Sequence, residues 1–311
     1  MIILYFIQFK MTTMKKIIVC CAMIALTTLS ASAQNGIVVF QTDFGTKDGA
    51  VSAMKGVASS VNANLKLYDL TQEIPAYNIW EAAYRLDQTV PYWPAGTVFV
   101  SVVDPGVGTN RKSVVAKTKS GHFIVTPDNG TLTLLAASIG IESMREIDEA
   151  VNRRKNSGAS YTFHGRDVYA FTAAKLAAGK ITFEQVGQQL PNQIVSLPYQ
   201  KASIENNSIK GTINILDVQY GNIWTNISGD LFKKLNPKIG DVFKVIIYKN
   251  KIKKHESTMP YMATFGGVAK GKPLLYLNSL LQVSFALNMG SFSAVHKVLS
   301  GNEWGVEVSK K

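Results

Sequence analysis

The chain has 311 residues, 46% hydrophobic and 17% charged, with a formal net charge of +12. That is length for about two domains and enough apolar content for a large core, which excludes a disordered or fibrous chain. The basic residues are scattered, as in Arg153, Arg154 and Lys155 or Lys251, Lys253 and Lys254, with no interleaved aromatics, so they read as solvated loops and not as a nucleic-acid surface.

The run MKKIIVCCAMIALTTLSASA from Met14 has a basic start, an apolar centre and the small residues Ala31-Ser32-Ala33. That pattern predicts a secretory signal peptide over residues 1–33, cleaved near Ala33, and so an exported, periplasmic protein; a retained N-terminal anchor is the alternative. Cleavage removes Lys10, Lys15 and Lys16 and no acid, which takes the net charge from +12 to +9. It also removes Cys20 and Cys21, leaving no disulfide, thiolate nucleophile or cysteine metal ligand. No later apolar stretch reaches the roughly 20 residues of a membrane span.

From Gly36 the pattern is a short apolar strand, GIVVFQT, the turn Asp43-Phe44-Gly45, and a helical spacing over DGAVSAMKGVASSV. LKLYDL (65–70) reads as a strand, 79–90 as a helix, 97–104 as a strand, 113–118 and 122–126 as strands, and 130–140 and 171–180 as helices. Strands alternating with helices predict an α/β, Rossmann-like N-terminal domain over residues 34–195. From about Ser196, β-type runs separated by Gly, Asn and Lys turns predict a smaller antiparallel β-barrel domain over 196–311, with the linker near residues 190–198.

Ligands of open α/β sheets bind where strands end, so the polar residues after strands are the candidates. Five stretches qualify: TDFGTKD (42–48), VVDPGVGTNR (102–111), TPDNG (126–130), FHGRD (163–167) and LDVQYGNIWTNI (216–227). Each also has a structural reading. Asp43 can cap the next helix, Asp48 can sit in its first turn, and Asp128-Asn129-Gly130 makes a good turn. His164 to Asp167 can be a local charge cluster, Asn222 and Asn226 turn residues, and Trp224 a core side chain. Gly106 and Gly108 do not extend to GxGxxG, and there is no P-loop, HExxH or GxSxG, so nucleotide-phosphate, zinc and serine chemistry lack support. An aspartate, an arginine and a histidine are left that can orient a water. Asp43 can take a ribose diol, and Tyr220, Asn222 and Trp224 can hold a flat ring.

TDFGTKDGAVSAMKGV, DPGVGTNR, PDNG, TFHGRDVYA and DVQYGNIWTNI, in that order, resemble the S-adenosyl-L-methionine hydroxide adenosyltransferases, relatives of the fluorinase and chlorinase. The resemblance runs from about Ile37 to Val295. It implies hydrolysis of S-adenosyl-L-methionine to adenosine and L-methionine by water at the ribose C5′, with no metal or cofactor. The residues it implies as catalytic are Asp104, Arg111 and His164. Asp43 would hold the ribose hydroxyls with Tyr77 beside them, and Asp48 and Asp217 the methionine amino group. Phe163, Tyr220 and Asn222 would frame the adenine, with Ser279 nearby. It further implies a homotrimer whose sites lie between the N-domain of one subunit and the C-domain of the next.

Gln72, Leu280, Leu281 and Phe292 depart from the family pattern, the last three at the methionine and adenine contacts. The halogenases carry Tyr and Thr where this chain has Asp104 and Val107, which disfavours halide as nucleophile. Two other classes stay open on the residues alone. One is a metal-dependent phosphoesterase on Asp43, Asp48, Asp104, Asp128 and His164, and the other a periplasmic nucleoside-binding protein.

Overall fold

The computed structural model describes residues 34–311; the signal peptide expected over residues 1–33 lies outside them. Strands β1 (Ile37–Thr42), β2 (Lys66–Thr71), β3 (Val98–Val102), β4 (Ser113–Thr118), β5 (Phe123–Pro127), β6 (Ile141–Glu146) and β7 (Gln189–Leu190) form one sheet in the order β2-β1-β3-β5-β4-β6-β7. The β2-β1-β3-β5 part is parallel and the β5-β4-β6-β7 part antiparallel. β3 and β5 are buried at every position, as strands covered on both faces must be, which is why their sequences are unbroken apolar runs without alternation.

Helices α1 (Ala50–Val61) and α2 (Ile79–Thr89) make the first two crossovers, followed by the shorter α3 (Thr133–Ser138) and α4 (Glu149–Asn152). The chain moves outward from β1 to β2 and then returns to the other side of β1 as β3. Asp43 and Asp104, each just past its strand, therefore flank the point where strand order reverses, the usual ligand crevice of such sheets. Gln72, one of the departures from the family pattern, braces this crevice: it is buried, accepts from Thr42 Oγ1 at 2.6 Å, and donates to the Phe40 carbonyl and to Asp69.

One expectation is corrected here. The FHGRD stretch does not follow a strand. His164 starts a helix, a π turn over Gly165–Ala170 that continues into α5 (Phe171–Ala177). Gly165 lets the turn approach Phe44 closely, since a Cβ there would lie 3.1 Å from the Phe44 ring, which would have to shift.

The second sheet holds β8 (Ser203–Glu205), β9 (Ser208–Leu216), β10 (Ile223–Ser228), β11 (Val242–Lys249), β12 (Ile252–Pro260), β13 (Pro273–Leu277), β14 (Gln282–Leu287) and β15 (Trp304–Lys310). Its order, β12-β11-β15-β9-β10-β14-β13 with β8 on β9, is nearly closed, with Tyr261 beyond β12 bridging Leu275 of β13. This is the mixed α/β plus antiparallel barrel-like architecture expected from the sequence. The two sheets are joined by an apolar cluster that includes Trp80, Tyr84, Leu134 and Ile215, in which Trp80 Nε1 donates to the Asn214 carbonyl at 2.7 Å. No helix among the described residues is long and apolar enough to cross a membrane.

Phe292, at the start of α7 (Phe292–His296), which follows α6 (Gly229–Lys233), is fully buried in the barrel core against Phe285, His255 and His296. Its departure from the family pattern is thus a core side chain and not a ligand contact. Phe292→Ala should cost about 3–5 kcal/mol of stability through lost burial and the cavity left behind, read as a lowered midpoint in urea unfolding.

Candidate active site

The loop after β3 brings back the residue that completes it. Arg111 donates from Nε to Asp104 Oδ1 at 2.9 Å and from Nη2 to Asp104 Oδ2 at 2.5 Å, a planar two-pronged pair. The turn permits this approach: Gly108 takes φ of +79°, and a Cβ on Gly106 would lie 3.3 Å from Arg111 Cγ. Both partners are shielded, with 5% of the Asp104 side chain and 11% of that of Arg111 exposed. Burial works against the arginine's charge, yet the Asp104 hydrogen bond and the surrounding charges raise its pKa above the ordinary value.

Arg111 Nη2 also reaches His164 Nδ1 at 2.8 Å. A guanidinium only donates, so Nδ1 must accept and the neutral ring carries its proton on Nε2. That Nε2 is buried and has no hydrogen-bond partner among the described residues. Burial lowers the His164 pKa below 6.5, and the Arg111 and Arg153 cations push it down further against an upward pull from Glu149 and Asp104. The charge cluster read in the FHGRD stretch resolves differently: Arg166 pairs with its neighbour Asp167 at 2.7 Å, which leaves His164 to Arg111.

A pocket of about 250 Å³ opens at the crevice, lined in part by Asp43, Tyr77, Asp104, Phe163 and His164, with Phe44 and Val107. Five residues singled out in the sequence thus meet in one place. Tyr77 is held across the pocket by its own backbone: its N–H donates to Asp43 Oδ2 at 2.9 Å, and it adopts φ of +67° with 72% of its surface exposed. A positive φ at a bulky residue is uncommon strain and is typical of functional positions. Arg111 does not line this pocket. It borders a separate cavity of about 430 Å³ with Lys112 and Asp128, and acts on the first pocket through Asp104 and His164.

The other candidates lie elsewhere in the chain. Asp48 is exposed, and its carboxylate accepts from the Ala50 N–H at the start of α1. Asp217, Tyr220 and Asn222 share the loop between β9 and β10. There Asp217 N–H donates to the Asn222 carbonyl, Asn222 Nδ2 reaches Asp217 Oδ2 at 3.3 Å, and Tyr220 stands 66% exposed. Gly221 in that loop takes φ of +69°, and a Cβ there would fall 2.0 Å from Ser291 Oγ, so both backbone and space call for glycine. Ser279 is exposed in the tight turn from Asn278 to Gln282, whose Leu280 and Gln282 N–H groups Asn278 Oδ1 accepts. Leu281 takes φ of +56° and gives its carbonyl to Gly229 N–H, so the Leu280-Leu281 departure is part of a turn. None of these C-terminal residues lines the 250 Å³ pocket. Trp224 packs into the cluster joining the two sheets and donates to Tyr276 Oη, as its core reading expects.

Of the phosphoesterase donor set, Asp43, Asp104 and His164 line the pocket but Asp48 and Asp128 do not join them. Asp128 takes the Val195 N–H and borders the second cavity, Asp48 is at a helix start, and among the described residues no three His, Cys, Asp or Glu side chains gather to hold a metal ion. Sequence reasoning missed Ser113, Tyr169 and Thr162. Thr162 lines the pocket, while Ser113 and Tyr169 contact the trio from below; the hydroxyls of Ser113 and Tyr169 lie inside apolar patterns that read as core.

Comparison with known proteins finds one family. The model of the SAM hydroxide adenosyltransferase N-terminal domain matches residues 38–187, and that of the C-terminal domain matches residues 211–305. The (R)-S-adenosyl-L-methionine hydrolase of Methanocaldococcus jannaschii is 40% identical over 198 residues, covering 62% of this chain and 68% of the relative. The hydrolase of the same name from Salinispora tropica is 32% identical over 264 residues, 85% of this chain and 94% of that protein. A fluorinase of Actinopolyspora mzabensis is 26% identical over 300 residues. A crystal structure of an uncharacterized conserved protein from Thermotoga maritima superposes with a TM-score of 0.79 at 36% identity, covering 88% of this chain and 99% of that one. With both halves of the family model matched and the crevice, the two-pronged ion pair and the histidine in place, the chain belongs to the SAM hydroxide adenosyltransferase family.

Proposed function

We propose that the chain hydrolyses S-adenosyl-L-methionine to adenosine and L-methionine by attack of water on the ribose C5′. The observation that carries this is one pocket holding Asp104 and the neutral His164, both gripped by Arg111, opposite Asp43 and Tyr77. The new bond is O–C5′, and the breaking C5′–S bond gives its electron pair to sulfur, which leaves as a neutral thioether. No acid is needed at the leaving group, so the demand falls on the nucleophile. His164 Nε2–H donates to the water oxygen and Asp104 accepts one of its protons, which turns a lone pair toward C5′. Arg111 positions both partners. An anion-like nucleophile meeting a sulfonium cation destroys charge, so exclusion of bulk water assists the step. The carboxylates of Asp43 and Asp104 suit a cationic substrate even though the whole chain is basic.

Asp43 Oδ2 is taken by the Tyr77 N–H, leaving Oδ1 for the ribose hydroxyls, with Tyr77 beside the sugar and Phe163 toward the adenine. Drug-sized ligands occupy sites of roughly 300–1,000 Å³. The pocket walled by one chain, about 250 Å³, is too small for the whole substrate. That supports a site completed by a neighbouring copy, whose Asp217, Tyr220, Asn222 and Ser279 supply the adenine and methionine ends in the homotrimer that the family resemblance implies. Asp48 belongs to the methionine end by the same reading. The leader pattern over residues 1–33 supports export to the periplasm, where the enzyme is kept from the cell's own S-adenosylmethionine.

Incubation of the chain from Gln34 with S-adenosylmethionine should release adenosine and methionine in equal amounts, unchanged by EDTA, as followed by chromatography. Intact substrate after hours would instead favour a nucleoside-binding protein. Asp104→Asn, Arg111→Ala and His164→Ala should each lower kcat by roughly 100-fold or more, the range expected for lost positioning and proton handling.

The pH dependence has a definite sign. Because the fold lowers the His164 pKa, the unfolded chain binds that proton more readily. The stability this group contributes is complete above pH 6.5 and is lost as pH falls through the depressed pKa, where Nδ1 protonates and can no longer accept from Arg111. The kcat profile and the urea midpoint should both fall on the acid side of pH 6.5, and His164→Gln should flatten that limb of the kcat profile.

For the shared site, mixing inactive Asp104→Ala and Asn222→Ala proteins under subunit exchange should regain activity. Mixed trimers then carry some sites with both halves intact; no recovery would mean each site is built from a single chain.

A further inference from the structure

Beneath the trio lies a buried polar chain that the hydrolytic mechanism does not use. Tyr169, on the π turn five residues past His164, is fully buried. Its ring meets the His164 ring edge-on at 6.5 Å, and Arg111 Cζ stands 5.7 Å from its centroid. Its hydroxyl lies 3.1 Å from Ser113 Oγ and 3.5 Å from Asp104 Oδ2. Ser113, the first residue of β4, in turn receives Arg111 Nη1 at 2.8 Å.

The direction of these bonds follows from the donor inventory. Arginine can only donate, so Ser113 Oγ accepts from it. If the serine proton goes to the Tyr169 oxygen, the Tyr169 proton is free for Asp104 Oδ2, and every group is satisfied. The chain then runs one way, Arg111 to Ser113 to Tyr169 to Asp104, and closes on the carboxylate that Arg111 already grips. A phenylalanine would fill the same volume without the cost of burying a hydroxyl, so packing does not account for the oxygen. Neither Tyr169 nor Ser113 lines the pocket.

We propose that Tyr169 and Ser113 are positioning residues for the hydrolytic step, which fix the rotation of the Arg111 guanidinium and of the Asp104 carboxylate so that Asp104 and His164 face one water together. The proposal rests on the S-adenosylmethionine reading for its kinetics and on the local geometry alone for its spectroscopy.

The test uses Tyr169→Phe, which keeps the ring, and Ser113→Ala, each compared with the full chain from Gln34. Both should lower kcat by roughly 10- to 100-fold, the scale of sub-ångström to one-ångström misplacement, with KM changed by less than about twofold because neither touches substrate. The double variant should be no worse than the weaker single, since one chain is broken either way. Independently of activity, nitrogen NMR of His164 should show Nδ1 unprotonated at neutral pH, and its titration midpoint should move to higher pH in both variants as Arg111 loosens. Wild-type kcat and midpoint in Tyr169→Phe, or a raised KM at constant kcat, would overturn the proposal. A wild-type chain inert toward S-adenosylmethionine, with the midpoint still shifted in the variants, would uphold the positioning role and sink the substrate reading instead.

Discussion

The two-pronged ion pair between Arg111 and Asp104 is the constraint on which the rest of the site depends. An ion pair this shielded is a poor way to gain stability, because taking both charges out of water offsets much of their attraction. Removing one partner, by contrast, costs on the order of 3–5 kcal/mol, since a buried charge is left alone. Such a pair resists rotation more than it stabilises, and rotation is what the site must control. The strand end, the Pro-Gly-Val-Gly turn and the strand that follows all serve to bring a guanidinium back against a carboxylate seven residues earlier.

From that pair the histidine's state follows. Arg111 still has a hydrogen to spare after engaging Asp104, and it is aimed at His164 Nδ1. A donor in that position excludes imidazolium and selects one tautomer without any carboxylate behind the ring. The helix that carries His164 opens with a π turn, a geometry that recurs at functional sites because it displaces one residue from regular spacing. Here the turn places His164, Asp167 and Tyr169 in three different environments: the arginine, a second ion pair and the floor of the trio.

The rest of the molecule divides the work. The parallel strands supply a rigid crevice with two carboxylates at its rim, while the barrel supplies a loop whose glycine packs against Ser291 and so holds Asp217 and Asn222 in register. Apolar side chains such as Tyr77 on the first half and Tyr220 on the second stand exposed, each in a segment whose backbone is fixed.

The sequence by itself determined the α/β order, the barrel-like second half and the identity of nearly every polar residue at the crevice. Strand ends, glycine turns and apolar runs are local signals, but a carboxylate after a buried strand also caps and turns, as Asp128 does by accepting the Val195 N–H outside the pocket. Only the tertiary structure decided how those residues meet. The pairing of Arg111 with Asp104 and His164 joins positions 53 residues apart, and the donor directions that set the tautomer exist only once the guanidinium is placed. Ser113 and Tyr169 were invisible for the same reason: in an apolar run a hydroxyl reads as tolerated core until the partner it bonds is known. Phe292 was misread in the opposite direction, because a departure from a motif carries no sign of which face of the barrel it occupies. Burial and hydrogen bonding are properties of pairs distant in the chain: the helix from His164 packed on the first sheet brings the trio together, and the barrel core encloses Phe292.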